Sequence, residues 1–359
     1  MRILAPEPAA NPHLFGHAGA EAHFARAWRT GRPPHAWLLT GPRGVGKATL
    51  AWRLARRWLA GDPDHPAAVD PAHPLFRQVA SGAHPDLVRL APRHEGLVRG
   101  RRAEIPAEQV REALAALQRT GLSGHRRLCL LEDAEDALNT EGENALLKLL
   151  EEPPAGLLFL IVAQRPGLLP ATIASRCARL PLRQLPEPEL ARALATLAPD
   201  LPEERRARLA ELARGCPGRA LEAERGGWLD AYAGLLDELE RAGERLDATL
   251  AAADRLAERA RGSGLQAAVD LLATFLHRCA RTAAGRRPAV ELVPGEGERL
   301  AVHARALGLD RCGALWEKLA ALAASVETLN LDPVQALLPL VRTVGGTGGM
   351  TAASRSGAE

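Results

Sequence analysis

The sequence predicts an α/β protein whose first half is a parallel five-stranded sheet covered by helices and whose second half is helical. Three observations carry that expectation. Short apolar runs recur through the first half at a spacing that leaves room for a helix between neighbours. A glycine-rich turn, "GPRGVG" at 41–46, joins the first run to a helical segment. Beyond residue 183 the strand signals stop, and Ala, Leu, Arg and Glu follow one another in helical order.

The first strand is "AWLLTG" (36–41), a continuous apolar run of the kind a strand buried on both faces requires. "GKATLAWRLARRWLAG" then sets Leu50, Leu54 and Leu59 near helical spacing and closes on Gly61. Residues 61–86, rich in Pro, His and Asp, read as a surface insertion. Its His65, His73 and His84 fit no common metal spacing, and solvated or capping roles are expected. "DLVRL" (86–90) is the second strand. "PAEQVREALAALQRTG" starts a helix after Pro106, with Val110, Leu114 and Leu117 on one face, and stops at Gly121. "RLCLLED" (127–133) is the third strand. "NTEGENALLKLLEEPP" offers Asn139 or Thr140 as N-cap and is ended by Pro153 and Pro154. "LLFLIVAQ" (157–164) and "CARLPLR" (177–183) complete the sheet. The helical half runs from Glu187 to Val344, with breaks at "RGCPGR" (214–219), "RGSG" (261–264) and 285–298. The final Gly- and Ser-rich stretch cannot bury a core and is expected to be a disordered tail.

A chain of 359 residues suits two or three domains. Its 47% hydrophobic and 25% charged residues are ordinary for a globular protein, and a net charge of +3 makes no global case for nucleic acid or membrane. The local basic runs "RGRRAEIP" (99–106) and "HRR" (125–127) are more often solvated surface than phosphate contacts. The five cysteines form no C-x-x-C pair, which argues against a disulfide scaffold and against zinc. The N-terminal "MRILAPEPAANPHL" lacks the apolar core of a signal peptide, and "GLLFLIVA" is too short to span a bilayer. A soluble, cytoplasmic protein with reduced thiols is the expectation. Only three lysines occur, Lys47, Lys148 and Lys318, the bland reason being a coding bias towards arginine.

"GPRGVGKATL" (41–50) is one position away from the phosphate-binding pattern G-x-x-x-x-G-K-[ST]. Gly41, Gly46 and Lys47 match it, and Arg43, Gly44 and Thr49 lie within the same loop and first helical turn. Glycines let the backbone wrap phosphates, the helix N-terminus faces the anion, and the lysine reaches the β and γ oxygens. Ala48, however, stands where a hydroxyl should hold magnesium. Thr49 is no simple substitute, because one helical residue turns the side chain by about 100°. The acidic pair expected at the end of a hydrophobic strand, often Asp-Glu, is here Glu132-Asp133, in swapped order. Nucleotide binding is compatible with this loop; efficient hydrolysis is not.

The run 139–182, with "NALLKLLEEPP" (Asn144 to Pro154) and "SRC" (Ser175, Arg176, Cys177), closely resembles the clamp-loader branch of the AAA+ ATPases. Within that branch it is similar to the δ′ subunit family of bacterial DNA polymerase III, strongly from about His13 to Pro181. The resemblance implies a AAA+ P-loop core at 1–183, a small helical lid at 184–243, an all-α collar domain for oligomerisation at 244–345 and a tail at 346–359. It implies that Arg176 acts as an arginine finger in trans, in the ATP site of an adjacent subunit. It implies partners as well: the motor subunits (γ/τ) and δ in a ring, with the sliding clamp and primer-template DNA reached through the complex. No cofactor would be required, static ATP or ADP binding without turnover is allowed, and no intrinsic ATPase activity is expected. Relatives often carry a four-cysteine zinc module where 61–86 lies; that segment has no cysteine, so no zinc is expected. Gln164 is the candidate polar sensor, and Arg219 in "GCPGRAL" the candidate second sensor, set one residue late; a structural arginine is an equal alternative there. The rival reading is a self-sufficient AAA+ ATPase, which would need the magnesium hydroxyl and the Asp-Glu pair. A nucleotide kinase is weaker still, since it leaves "LEEPP" and "SRC" unexplained.

Overall fold

The computed structural model describes residues 7–92, 105–118, 126–137, 140–242, 265–329, 338–339 and 341–344. Two compact units are formed, one from residues 1–202 with 213–221, the other from 203–212 with 222–359. Most of the basic run 99–106, the break at 261–264, the alternative N-cap Asn139 and the C-terminal tail lie outside the described residues.

In the first unit five strands build one sheet: β1 (Ala36–Thr40), β2 (Leu87–Leu90), β3 (Arg127–Leu131), β4 (Leu157–Ala163) and β5 (Ala178–Pro181). Their order is β2-β3-β4-β1-β5, and every pairing is parallel. Around them lie α1 (Ala18–Arg29), α2 (Lys47–Ala60), α3 (Pro74–Ala80), α4 (Ala107–Gln118), α5 (Ala134–Ala137), α6 (Thr140–Glu151), α7 (Ala171–Ala174) and α8 (Glu187–Leu197).

Alternate residues of each strand serve opposite faces, because side chains on a strand project with a period of two. Trp37, Leu39, Leu128, Leu130, Leu158 and Leu160 face a core shared with α2 through Leu50, Trp52, Leu54 and Trp58. Leu38, Cys129, Leu131, Phe159 and Ile161 face the other core, filled by Val110 and Leu114 of α4 and Leu146 and Leu150 of α6. Burial on both sides is why β4 could be apolar at all seven positions.

The segment 61–86 is more than a surface insertion. It contains α3, which buries Phe76 and Val79, and Val79 joins the α2 core. Arg56, fully buried on α2, ties it down by donating to the carbonyls of Ala68 (2.9 Å) and Ala9 (2.8 Å), with its guanidinium over the Phe76 ring. The histidines act locally: Nδ1 of His73 accepts from Leu75 N at the start of α3, and Nδ1 of His84 accepts from Asp86 N. The arginines of "HRR" are also engaged within the chain. Arg126 lies over the Trp28 and Trp58 rings, and Arg127 donates to the carbonyls of Leu117 and Ala155.

From Glu187 onward the described elements are helical: α9 (Glu203–Ala213), α10 (Pro217–Arg225), α11 (Trp228–Ala242), α12 (Leu265–Ala283) and α13 (Glu296–Leu329), the last kinked at Gly308. The second unit is organised around a buried ion pair. Glu296 receives Arg278 Nε (2.6 Å) and Nη2 (2.9 Å), Tyr232 Oη (2.8 Å) and Leu292 N (2.7 Å). All the carboxylate's capacity is thus used where water is excluded, which is what makes a buried charge tolerable. No helix among the described residues is long and apolar enough to cross a membrane.

Candidate functional site

The glycine loop leaves β1 at Thr40 and enters α2 at Lys47, so it sits at the C-terminal edge of a parallel sheet, the edge where α/β folds bind ligands. Gly41, Gly44 and Gly46 have φ of 147°, 76° and 113°, which other residues adopt only with strain. At Gly44 space forbids a side chain too. A Cβ there would lie 2.4 Å from the backbone nitrogen of Arg219, because the start of α10 packs on the loop and Gly218 N donates to Gly44 O at 2.8 Å. Beneath the loop, the buried His17 donates from Nε2 to Val45 O at 2.9 Å.

Lys47 is buried, and its Nζ donates back into its own loop, to Gly41 O (2.7 Å) and Pro42 O (2.9 Å). Burial lowers its pKa, partly offset by the charges of Glu135 and Asp133 and by Cys216. Arg43 lowers it further, so Arg43 also reaches this neighbourhood. Thr49 is half-buried in the first turn, about 200° around the helix from Lys47.

The acidic residues part company after β3. Glu132 turns to structure: Oε1 accepts from Trp52 Nε1 at 3.0 Å, and Oε2 accepts from Arg89 Nε at 2.7 Å. Asp133 adopts a left-handed φ of 48° and receives Gln164 Nε2 at 2.7 Å. That contact places Gln164, the predicted sensor, beside the acidic turn. Glu135, which the strand-end pattern did not single out, fixes the end of β4: its Oε1 accepts from the backbone nitrogens of Gln164 (2.7 Å) and Arg165 (2.8 Å). Its presence was readable only as the last acid but one in "LLEDAED".

Arg219 stands against the loop at Gly44 and next to Cys216, whose thiol it draws down against the larger upward push of burial. Arg176 is elsewhere. Its Nη2 donates to Glu151 Oε1 at 2.6 Å and its Nη1 to Thr172 O at 2.9 Å, and its side chain is partly exposed. Since Ala178 pairs with Trp37 and Pro181 with Thr40, Arg176 precedes the opposite edge of the sheet from the loop. Three strand steps alone put about 10 Å between those edges. Cys177 donates to Ile173 O, and burial pushes its thiol up to about 11, so it is not a reactive thiolate.

The donor set fits a phosphate: glycines at positive φ, a helix N-terminus and a lysine. It does not fit a magnesium ion in the usual place, because Ala48 has no oxygen and both oxygens of Glu132 are taken.

A five-stranded parallel sheet of order β2-β3-β4-β1-β5, with a glycine loop between its first strand and the next helix, defines an α/β module of the P-loop type. Residues 16–186 match the family described as DNA polymerase III, delta subunit. The chain is 37% identical over 193 residues to the DNA polymerase III subunit delta' of Pseudomonas aeruginosa, covering 53% of this chain and 55% of that one. It is 31% identical over 156 residues to the delta' subunit of Bacillus subtilis, covering 43% and 44%. The tau subunit of Escherichia coli matches at 30% over 178 residues, covering 48% and 26%. Over its first half the chain is thus similar to delta' and tau subunits of DNA polymerase III. It spans about half the length of the delta' relatives it matches. Among solved structures, a gamma subunit-related protein of Thermotoga maritima aligns at 16% identity, with 86% of this chain and 94% of that one covered and a TM-score of 0.38.

Proposed function

We propose that the chain is a non-hydrolysing AAA+ subunit of a clamp loader that supplies Arg176 to the ATP site of a neighbouring subunit. The observation that supports this reading most is position. Arg176 is partly exposed at the sheet edge opposite its own phosphate loop, and its partners, Glu151 and the Thr172 carbonyl, belong to neither the loop nor its acidic turn. A guanidinium so placed can neutralise charge developing on a γ-phosphate only if another molecule brings that phosphate to it.

The cis site has the opposite character. Lys47 remains beside the glycine cradle and would meet the phosphates of a statically bound ATP or ADP, with Arg219 adjacent on α10. Ala48 and the committed Glu132 leave magnesium without its protein ligands, so no hydrolytic step is assigned to this chain. The same features weigh against a self-sufficient ATPase. The partners that fit are motor (γ/τ) and δ subunits, with sliding clamp and primer-template DNA engaged through the ring, in the cytoplasm. The test is turnover by the purified chain with and without DNA. Negligible ATPase activity agrees with the proposal; robust activity that Lys47→Ala abolishes would overturn it.

A further inference from the structure

The side chains of Ser175, Arg176 and Cys177 all turn back onto the end of one short helix. Ser175 Oγ donates to Thr172 O at 3.1 Å, Arg176 Nη1 to the same carbonyl at 2.9 Å, and Cys177 Sγ to Ile173 O at 3.2 Å. The last carbonyls of a helix lack partners within it, and these three side chains supply donors to those of α7. α7 is itself fixed, because Leu169 and Ile173 are buried in the core that α6 shares through Leu149 and Leu150. Glu151, the next residue of α6, reaches across and accepts Arg176 Nη2 on its Oε1 at 2.6 Å. The guanidinium is therefore held at both terminal nitrogens, from two helices packed in the same core. It carries five N–H groups. Nε–H and the second hydrogen of each terminal nitrogen have no acceptor among the described residues, and the side chain reaches solvent.

We infer that Glu151 is a positioning residue for Arg176: it fixes one part of the guanidinium so that the remaining N–H groups stay available to a second acceptor. A free arginine side chain has many rotamers, and ordering it during each turnover would slow the step it assists. Glu151 and Thr172 O order it in advance. The place of the carboxylate matters more than its charge, since both side chains are partly exposed and water screens an exposed pair. This inference rests on the proposed role of Arg176 in trans.

The test is DNA-stimulated ATPase activity of the assembled ring with motor and δ subunits, carrying full-length variants of this chain. Glu151→Ala should lower kcat roughly three- to tenfold at unchanged KM for ATP, as expected for one long side chain left to be ordered on each turnover. Glu151→Gln keeps an oxygen for Nη2 and should restore most of the rate. Glu151→Asp keeps the charge but falls a methylene short, and should behave like Ala. In an Arg176→Ala ring, Glu151→Ala should add no further loss. A parent-like kcat in the Glu151→Ala ring overturns the inference, and so does a loss as large with Arg176→Ala as without it; the finger reading survives either result if Arg176→Ala alone is slow. Gln as slow as Ala, with Asp parent-like, also overturns it, by making charge the agent. An Arg176→Ala ring that turns over like the parent overturns the finger reading and this inference with it.

Discussion

Glu132 occupies the place where a metal-binding acid would be sought, yet its geometry makes it a structural acceptor, and the two roles predict different costs on substitution. In Glu132→Ala the indole N–H of Trp52, a side chain 2% exposed, loses its acceptor. An unsatisfied buried donor costs about 1–3 kcal/mol. The Arg89 pair is half-exposed on the arginine side and adds less than about 1 kcal/mol. The sum is about 1–4 kcal/mol. Glu132→Gln retains an oxygen for Trp52 and should lose under about 1 kcal/mol. Urea unfolding followed by tryptophan fluorescence is suited to the measurement, since Trp28, Trp37, Trp52 and Trp58 all lie in the first unit. A Glu132→Ala protein as stable as the parent would refute the reasoning. So would a Gln variant as damaged as the Ala variant, because then charge rather than the acceptor would matter.

Three further outcomes follow from the same structure. Gly44→Ala combines a left-handed φ with a Cβ 2.4 Å from a backbone atom, and should cost about 2–4 kcal/mol in urea unfolding while loosening the start of α10 from the loop. His84 has its pKa lowered by burial, with Asp86 partly offsetting, so on acidification the unfolded chain takes the proton before the folded one does. Stability should therefore fall as pH drops below about 6.5, and His84→Asn, which keeps an acceptor for Asp86 N, should flatten melting temperature against pH there. Glu296→Ala leaves the buried Arg278 only Glu211 and the Val290 carbonyl, takes the acceptor from Tyr232 Oη and Leu292 N, and should cost about 3–5 kcal/mol, read as an earlier urea transition in the helical circular dichroism.

Much of the fold was legible because its strands are buried on both faces. Runs such as Leu157–Ala163 need no alternation to be recognised, and the αL glycine at Gly61 marked the end of α2. The segment 61–86 misled because prolines and histidines hide a seven-residue helix, and only tertiary packing reveals that Phe76 and Val79 belong to the core. Helix α1 was also passed over; its core residues, Phe24 and Trp28, are spread among alanines and arginines. In the site, the glycine loop and Lys47 were legible as a motif, but the division of labour among Glu132, Asp133 and Glu135 was not. It depends on the left-handed turn at Asp133, which sends successive acids in different directions, and no spacing rule encodes that turn.

The claim that this chain helps a neighbour rather than itself is tested most directly in the assembled ring with motor and δ subunits. The measurement is DNA-stimulated ATPase activity and clamp loading with Arg176→Ala beside Lys47→Ala. Loss of an arginine finger removes several powers of ten at the site it serves, so Arg176→Ala should cut clamp loading at least about tenfold, while Lys47→Ala leaves the rate near that of the parent. The reverse pattern, with Lys47→Ala crippling the ring and Arg176→Ala silent, would contradict the account.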